Sequence, residues 1–122
     1  FYLMLGKYAQ GRKMMELGLP VALATDYNPG TCPTESLQTV MAFACFGMKF
    51  TPKEIITAMT INAACAINRE NEIGSIEVGK KSDIVIFDSH SLNYLIYHFG
   101  INHVDTVIKD GKVVVKDKNL CY

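Results

Sequence analysis

Val21-Ala22-Leu23-Ala24-Thr25-Asp26-Tyr27-Asn28-Pro29-Gly30-Thr31 is the stretch of this 122-residue chain on which the reading of the fold turns. Its first five residues form an apolar run, closed off upstream by Gly18 and Pro20. So short a run between such signals predicts a strand over 21–25, buried on both faces as in parallel sheets. Asp26-Tyr27-Asn28-Pro29-Gly30 predicts a loop, because turn formers follow one another. Asp26 is the first charged residue past the strand's C-terminal end, the edge at which catalytic groups emerge in α/β barrels. A carboxylate there can bind a divalent metal as a hard oxygen ligand, or take a proton from activated water. It can equally do no more than shape a turn. Asn28 offers an amide donor and acceptor, Thr31 a hydroxyl, and Gly30 a backbone that a ligand approaches closely. The loop runs into a helix start, whose unpaired N–H groups favour an anionic ligand group. Turn chemistry alone accounts for the same residues.

Outward from this loop the chain reads as helices, then strands. Upstream, Leu5, Tyr8, Ala9 and Met15 fall at roughly helical spacing, ended by Gly18. Downstream, Leu37, Val40, Met41, Ala44, Cys45 and Met48 make one apolar stripe. Pro33 and Glu35 suit the first turn of that helix, and Gly47 weakens its end. Thr51, Pro52 and Glu54 spell a complete helix start with a capping box, and Ile55, Met59, Ala63 and Ile67 mark the buried face that follows. Past residue 70 the pattern turns to β. Ile73-Gly74-Ser75-Ile76 and Val78-Gly79 suggest a short strand and a turn, and residues 83–88 a second strand. Residues 91–103 are aromatic-rich and irregular. Residues 104–109 and 112–116 flank Asp110-Gly111, the strongest short hairpin signal.

Composition narrows the function classes. Apolar residues make up 49% and charged residues 20%, a globular balance. Lys plus Arg is 12 and Asp plus Glu is 12, which argues against a polyanion-binding surface. The longest apolar run, residues 40–46, is far short of the roughly 20 residues that a membrane-spanning helix needs. The chain begins with Phe1 and shows no signal-peptide pattern, so it reads as an excerpt or a processed piece. Cys32, Cys45, Cys65 and Cys121 include no Cys-x-x-Cys pair. Cys45 and Cys65 read as small buried hydrophobes, and a reducing cytoplasm as the compartment. His90, His98 and His103 lack metal-motif spacing and read as structural or solvated. No Gly-x-Gly-x-x-Gly, P-loop or Gly-x-Ser-x-Gly occurs, which removes nucleotide-binding and α/β-hydrolase readings.

Three blocks together carry a family resemblance. The first is Ala22-Leu23-Ala24-Thr25-Asp26-Tyr27-Asn28-Pro29-Gly30-Thr31 with Pro33-Thr34-Glu35-Ser36. The second is Thr60-Ile61-Asn62-Ala63-Ala64 with residues 73–85. The third is Tyr97-His98-Phe99-Gly100-Ile101-Asn102-His103-Val104. The chain resembles the C-terminal third of the imidazolonepropionases, a family within the metal-dependent amidohydrolase superfamily. The second block is shared widely across the superfamily; the third looks specific to the narrower family.

The resemblance implies an α/β fold: a C-terminal fragment of a TIM-like (β/α)8 barrel beside part of a small β-sandwich. Residues 1–66 would supply the last barrel units, with 21–25 as the final strand, and residues 67–122 the C-terminal part of the sandwich. It implies hydrolysis of the ring amide of 4-imidazolone-5-propanoate to N-formimidoyl-L-glutamate, in histidine degradation, with zinc or iron activating the water. Asp26 would be the last metal ligand and a proton acceptor; Asn28, Gly30 and Thr31 would contact substrate. Thr31 stands where the family often has Ser, and Tyr27 where Phe is common. The resemblance also implies a cytoplasmic homodimer working on a small molecule, without nucleic acid or membrane. The family's His-x-His pair, its further metal-binding His and the Arg for the propionate have no counterpart in this chain, so these residues alone are expected to be inactive. Two alternatives stay open: another cyclic-amide amidohydrolase or deaminase, and a non-catalytic module that keeps the amidohydrolase C-terminal fold.

Overall fold

A computed structural model describes residues 7–121. The elements run α1 (Gly11–Glu16), α2 (Leu37–Phe46), α3 (Pro52–Met59), α4 (Ile61–Ala66), β1 (Ile84–Phe87), α5 (Leu92–Tyr97), β2 (Val104–Lys109), β3 (Lys112–Lys116) and β4 (Asn119–Leu120). The chain is thus α/β, with α1 to α4 ahead of an antiparallel sheet and α5 between its first two strands.

Helix ends follow local chemistry. Leu5 lies outside the described residues, and Tyr8 and Ala9 precede α1. That helix closes with Gly18 N–H on the Met15 carbonyl (2.9 Å) and Leu19 N–H on the Met14 carbonyl (3.1 Å), the paired bonds of a Schellman stop. Pro33 and Glu35 fall outside α2, contrary to expectation. The Ser36 hydroxyl accepts from Thr39 N–H (3.2 Å) and sets the start there. The capping box of α3 forms as read: Glu54 N–H donates to the Thr51 hydroxyl, and the Glu54 carboxylate accepts from Thr51 N–H (2.7 Å). Arg12 adds a second clasp, with Nη1 donating to Glu54 Oε1 (3.0 Å) and Nη2 to the Lys49 carbonyl (2.8 Å). The Arg12 guanidinium holds the Glu54 carboxyl well down, at about 2, and the Thr51 N–H bond adds to the effect.

The single helix expected through Ile67 is two. Thr60 leaves helical geometry (φ −117°, ψ −93°), and Ile67 is exposed. Cys65, expected to be buried, is exposed as well, while Cys45 is half-buried against the core.

The core joins Met41 and Ala44 of α2, Phe50, Ile55 of α3, and Leu95 and Ile96 of α5. Residues 91–103 are therefore not irregular: α5 is capped by the Ser91 hydroxyl, which accepts from Tyr94 N–H (3.1 Å), and contributes two of the most buried side chains. The strand expected over Ile73–Ile76 does not form. The segment bends without strand pairing, and Ile76 and Val78 are exposed with no strand to pair with among the described residues.

The sheet order is β1-β2-β3-β4, antiparallel throughout, with Ile84 opposite Ile108 and Val107 opposite Val115. Asp110 (φ 48°) and Gly111 (φ 78°) make the two-residue hairpin between β2 and β3, the positive-φ pair of a type I′ turn. The Asp83 carboxylate braces it, accepting from Asp110 N–H (2.8 Å) and Lys109 Nζ (2.6 Å).

Residues 21–25, expected as a doubly buried strand, carry no strand pairing among the described residues. Ala22 and Ala24 are exposed; Val21, Leu23 and Thr25 are half-buried. A parallel strand needs hydrogen-bonded neighbours, and none is present here. The segment is held instead from one side. Leu23 N–H donates to the Ala58 carbonyl (3.0 Å), and Asn62 Nδ2 to the Val21 carbonyl (2.9 Å). This anchorage places the loop that follows.

Candidate active-site loop

Asp26, Asn28, Gly30 and Thr31 sit together in one tight loop, and Asn28 is its organiser. Asn28 Oδ1 accepts from Gly30 N–H (2.9 Å), Thr31 N–H (2.8 Å) and the Thr31 hydroxyl (3.3 Å). Its Nδ2 donates to the Asp26 carbonyl (2.6 Å), and its backbone N–H to the Cys32 carbonyl (2.9 Å). The Cys32 thiol reaches the Thr25 carbonyl (2.9 Å), closing the loop's base. Asn and Asp are the side chains that satisfy loop backbone in this way, which is why a Pro-Gly turn follows Asn28.

The arrangement has a chemical consequence. Gly30 and Thr31 give their N–H groups to Asn28, so one side chain ties the two ends of the turn together. Asp26 adopts a left-handed backbone (φ 48°), a conformation that Asp tolerates better than most side chains. Its carboxylate is exposed and has no partner among the described residues, which leaves both oxygens for a cation or a proton. Beside the loop, Leu23, Thr25, Thr31, Cys32, Val40 and Phe43 help to line an apolar cleft of about 390 Å³.

No three His, Cys, Asp or Glu side chains converge to hold a metal among the described residues. A hard carboxylate such as Asp26 fits one position in a divalent-metal shell, where three or four protein ligands are usual. The histidines do not join it. His90, His98 and His103 gather on the ring of Tyr94, at centroid distances of 5.2, 4.1 and 5.6 Å.

Sequence reasoning passed over Gln38. It is buried, and it bonds with Asn102 and His103 across the chain. The available signal was its place one turn before Met41 and Ala42 on a buried helix face, where a polar residue requires a partner.

Residues 7–114 match the Amidohydrolase family. The imidazolonepropionase of Alkaliphilus oremlandii (strain OhILAs) is 64% identical over 120 residues, which are 98% of this chain and 28% of that protein. The crystal structure of a zinc-bound adenosine deaminase from Xanthomonas campestris superposes with a TM-score of 0.83 at 23% identity, covering 98% of this chain and 31% of that one. An amidohydrolase from Thermotoga maritima MSB8 gives a TM-score of 0.68 at 27% identity, over 86% and 25% of the two chains. The chain thus spans under a third of the length of these relatives. With the family's profile covering nearly all of it, the chain belongs to the amidohydrolase family.

Proposed function

We propose that this chain is the C-terminal part of an imidazolonepropionase, a metal-dependent hydrolase that opens the ring amide of 4-imidazolone-5-propanoate. The supporting observation is the 64% identity to the Alkaliphilus enzyme over 120 residues, a stretch that includes the whole Asp26–Thr31 loop. On this reading residues 1–66 complete a TIM-like barrel and residues 67–122 belong to a β-sandwich. Residues 21–25 pair there with strands supplied by the rest of the protein.

Zinc or iron, when bound, supplies the electrophile that activates the attacking water. Asp26 would be one of the residues that hold the metal, and its carboxylate would accept the proton of the attacking water. Water adds at the ring carbonyl, the ring C–N bond breaks, and the proton passes to the departing nitrogen, giving N-formimidoyl-L-glutamate. Asn28 fixes the Asp26 carbonyl and presents its second Nδ2 N–H toward substrate. Gly30 lets the substrate approach the backbone closely, and the Thr31 hydroxyl contacts its polar edge. Four free cysteines are in keeping with a reducing compartment. No helix among the described residues is long and apolar enough to cross a membrane.

The test is ring opening by the full-length protein, followed by loss of the imidazolone chromophore and by mass analysis of the product. Addition of one water, with no ammonia released, is expected. Ammonia release would make it a deaminase, and an unchanged substrate would remove the assignment.

A further inference from the structure

Gln38 and His103 are the two buried polar side chains among the described residues, 8% and 5% exposed. A buried primary amide must be hydrogen-bonded to be tolerated, and Gln38 is bonded at both ends. Its Oε1 accepts from His103 N–H (3.1 Å), and its Nε2 donates to Asn102 Oδ1 (3.1 Å). Asn102 Oδ1 also accepts from Val104 N–H (3.0 Å), so the polarity of the amide is fixed. His103 is clamped in turn: its carbonyl accepts from Asp88 N–H (2.8 Å), and its Nε2 lies 3.2 Å from the His98 carbonyl. A carbonyl only accepts, so Nε2 carries the proton. The first turn of α2 is thereby bolted to the segment entering β2, 64 and 65 residues away.

An apolar residue would fill the space on α2 as well and would bury no amide. What the amide adds is a fixed position, and α2 is the element into which the candidate active-site loop runs. Thr31 and Cys32 share the apolar cleft with Thr39, Val40 and Phe43 of α2. We propose that Gln38, with Asn102 and His103, is a positioning residue for the downstream half of the Asp26–Thr31 loop. This rests on the reading of that loop as substrate-contacting. The upstream end of the loop has an anchor of its own, Leu23 N–H on the Ala58 carbonyl, so release of α2 displaces Thr31 more than Asp26. The effect therefore falls on substrate binding more than on turnover.

The experiment compares Gln38→Leu with the wild type in the full-length protein, by kinetics, metal content and amide hydrogen exchange. A KM raised about tenfold is expected, with kcat within about twofold and metal content unchanged. The amides of Asn28, Gly30 and Thr31 should exchange about tenfold faster, while those of the β2–β3 hairpin stay as they were. Asn102→Asp alone, with Gln38 in place, keeps the acceptor oxygen and should retain wild-type behaviour in both readouts. Should Gln38→Leu fail to fold, Asn102→Ala removes one of the two Gln38 bonds together with the Val104 N–H bond, and carries the same expectations at smaller size. A lowered melting temperature with KM and loop exchange unchanged would overturn the proposal. A wild-type protein that opens no ring would instead sink the functional reading, while the exchange data would still decide whether Gln38 holds the loop.

Discussion

The β1–β4 sheet and the 21–31 segment behave as opposites. Each strand of the sheet pairs with its neighbour in sequence, and its main turn is braced by Asp83 from within the same region. Its ladder bonds run between strands of that same region. The 21–31 segment has the opposite design. Its first five residues have no ladder partner among the described residues, and in the next six one asparagine bonds Asp26, Gly30 and Thr31. The sheet is built to hold itself. The loop holds Asp26 in place, and on the proposed reading it does so beside the rest of a barrel. That is the division of labour expected where a rigid scaffold presents a chemical group on a loop.

Substitutions sharpen this contrast, and the largest effect belongs to the loop. Asp26→Ala in the full-length protein should lower turnover by about 10²–10⁴-fold, the worth of general-base assistance, and lower the melting temperature only slightly, through the positive φ at that position. Steady-state kinetics beside a thermal scan checks both halves; normal turnover would take Asp26 out of the site. Next comes Gly74→Ala, which should do the reverse. Gly74 has φ +93°, and an added Cβ would lie 2.7 Å from that of Ala64. Positive φ and overpacking together cost about 2–4 kcal/mol, read by denaturant unfolding, with turnover per folded molecule intact. Asn28→Ala should touch both properties. The loop loses its internal bonds and melts earlier, and catalytic efficiency falls by about 1–3 kcal/mol. A melting shift without kinetic loss would reduce Asn28 to a turn former.

The smallest effect concerns Glu54. Its carboxyl sits at about 2 in the folded state against an ordinary value of 4.5. A depressed carboxyl stabilises the fold fully above the ordinary value, and that contribution fades as pH falls from there through about 2. Arg12→Met removes the main cause of the depression, so acid unfolding should begin at a higher pH. Circular dichroism against pH reads the shift. An unmoved acid midpoint would mean that the Arg12 pair contributes nothing measurable, as exposed pairs often do.

What was legible in the sequence follows the same contrast. Thr51-Pro52-Glu54 and Asp110-Gly111 are local instructions, carried out by neighbouring backbone, and both appear as read. The run at 21–25 names a strand only in company, because a ladder needs a second chain segment. Ile73–Ile76 failed for a related reason: β-branched residues favour a strand only where a pleated surface awaits them. Helix α5 was readable and overlooked. Ser91 caps it, and Leu92, Leu95 and Ile96 sit at helical spacing, but the surrounding aromatic residues and its six-residue length hid the period. The site loop was identifiable as a motif, whereas the bonds of Gln38 span more than 60 residues and leave no local trace beyond one polar side chain on a buried face.

Metal affinity tests the central claim most directly, measured by zinc titration of three samples: the 122-residue chain, the full-length protein and its Asp26→Asn variant. On the proposed reading Asp26 is the one ligand this chain offers, so the 122-residue chain should hold zinc only weakly. The full-length protein should hold one equivalent tightly, and Asp26→Asn should loosen it by more than about tenfold, since even outer-shell changes cost 10–100-fold. Tight stoichiometric zinc in the 122-residue chain, coordinated by His98 or His103, or an affinity indifferent to Asp26→Asn, would contradict the account.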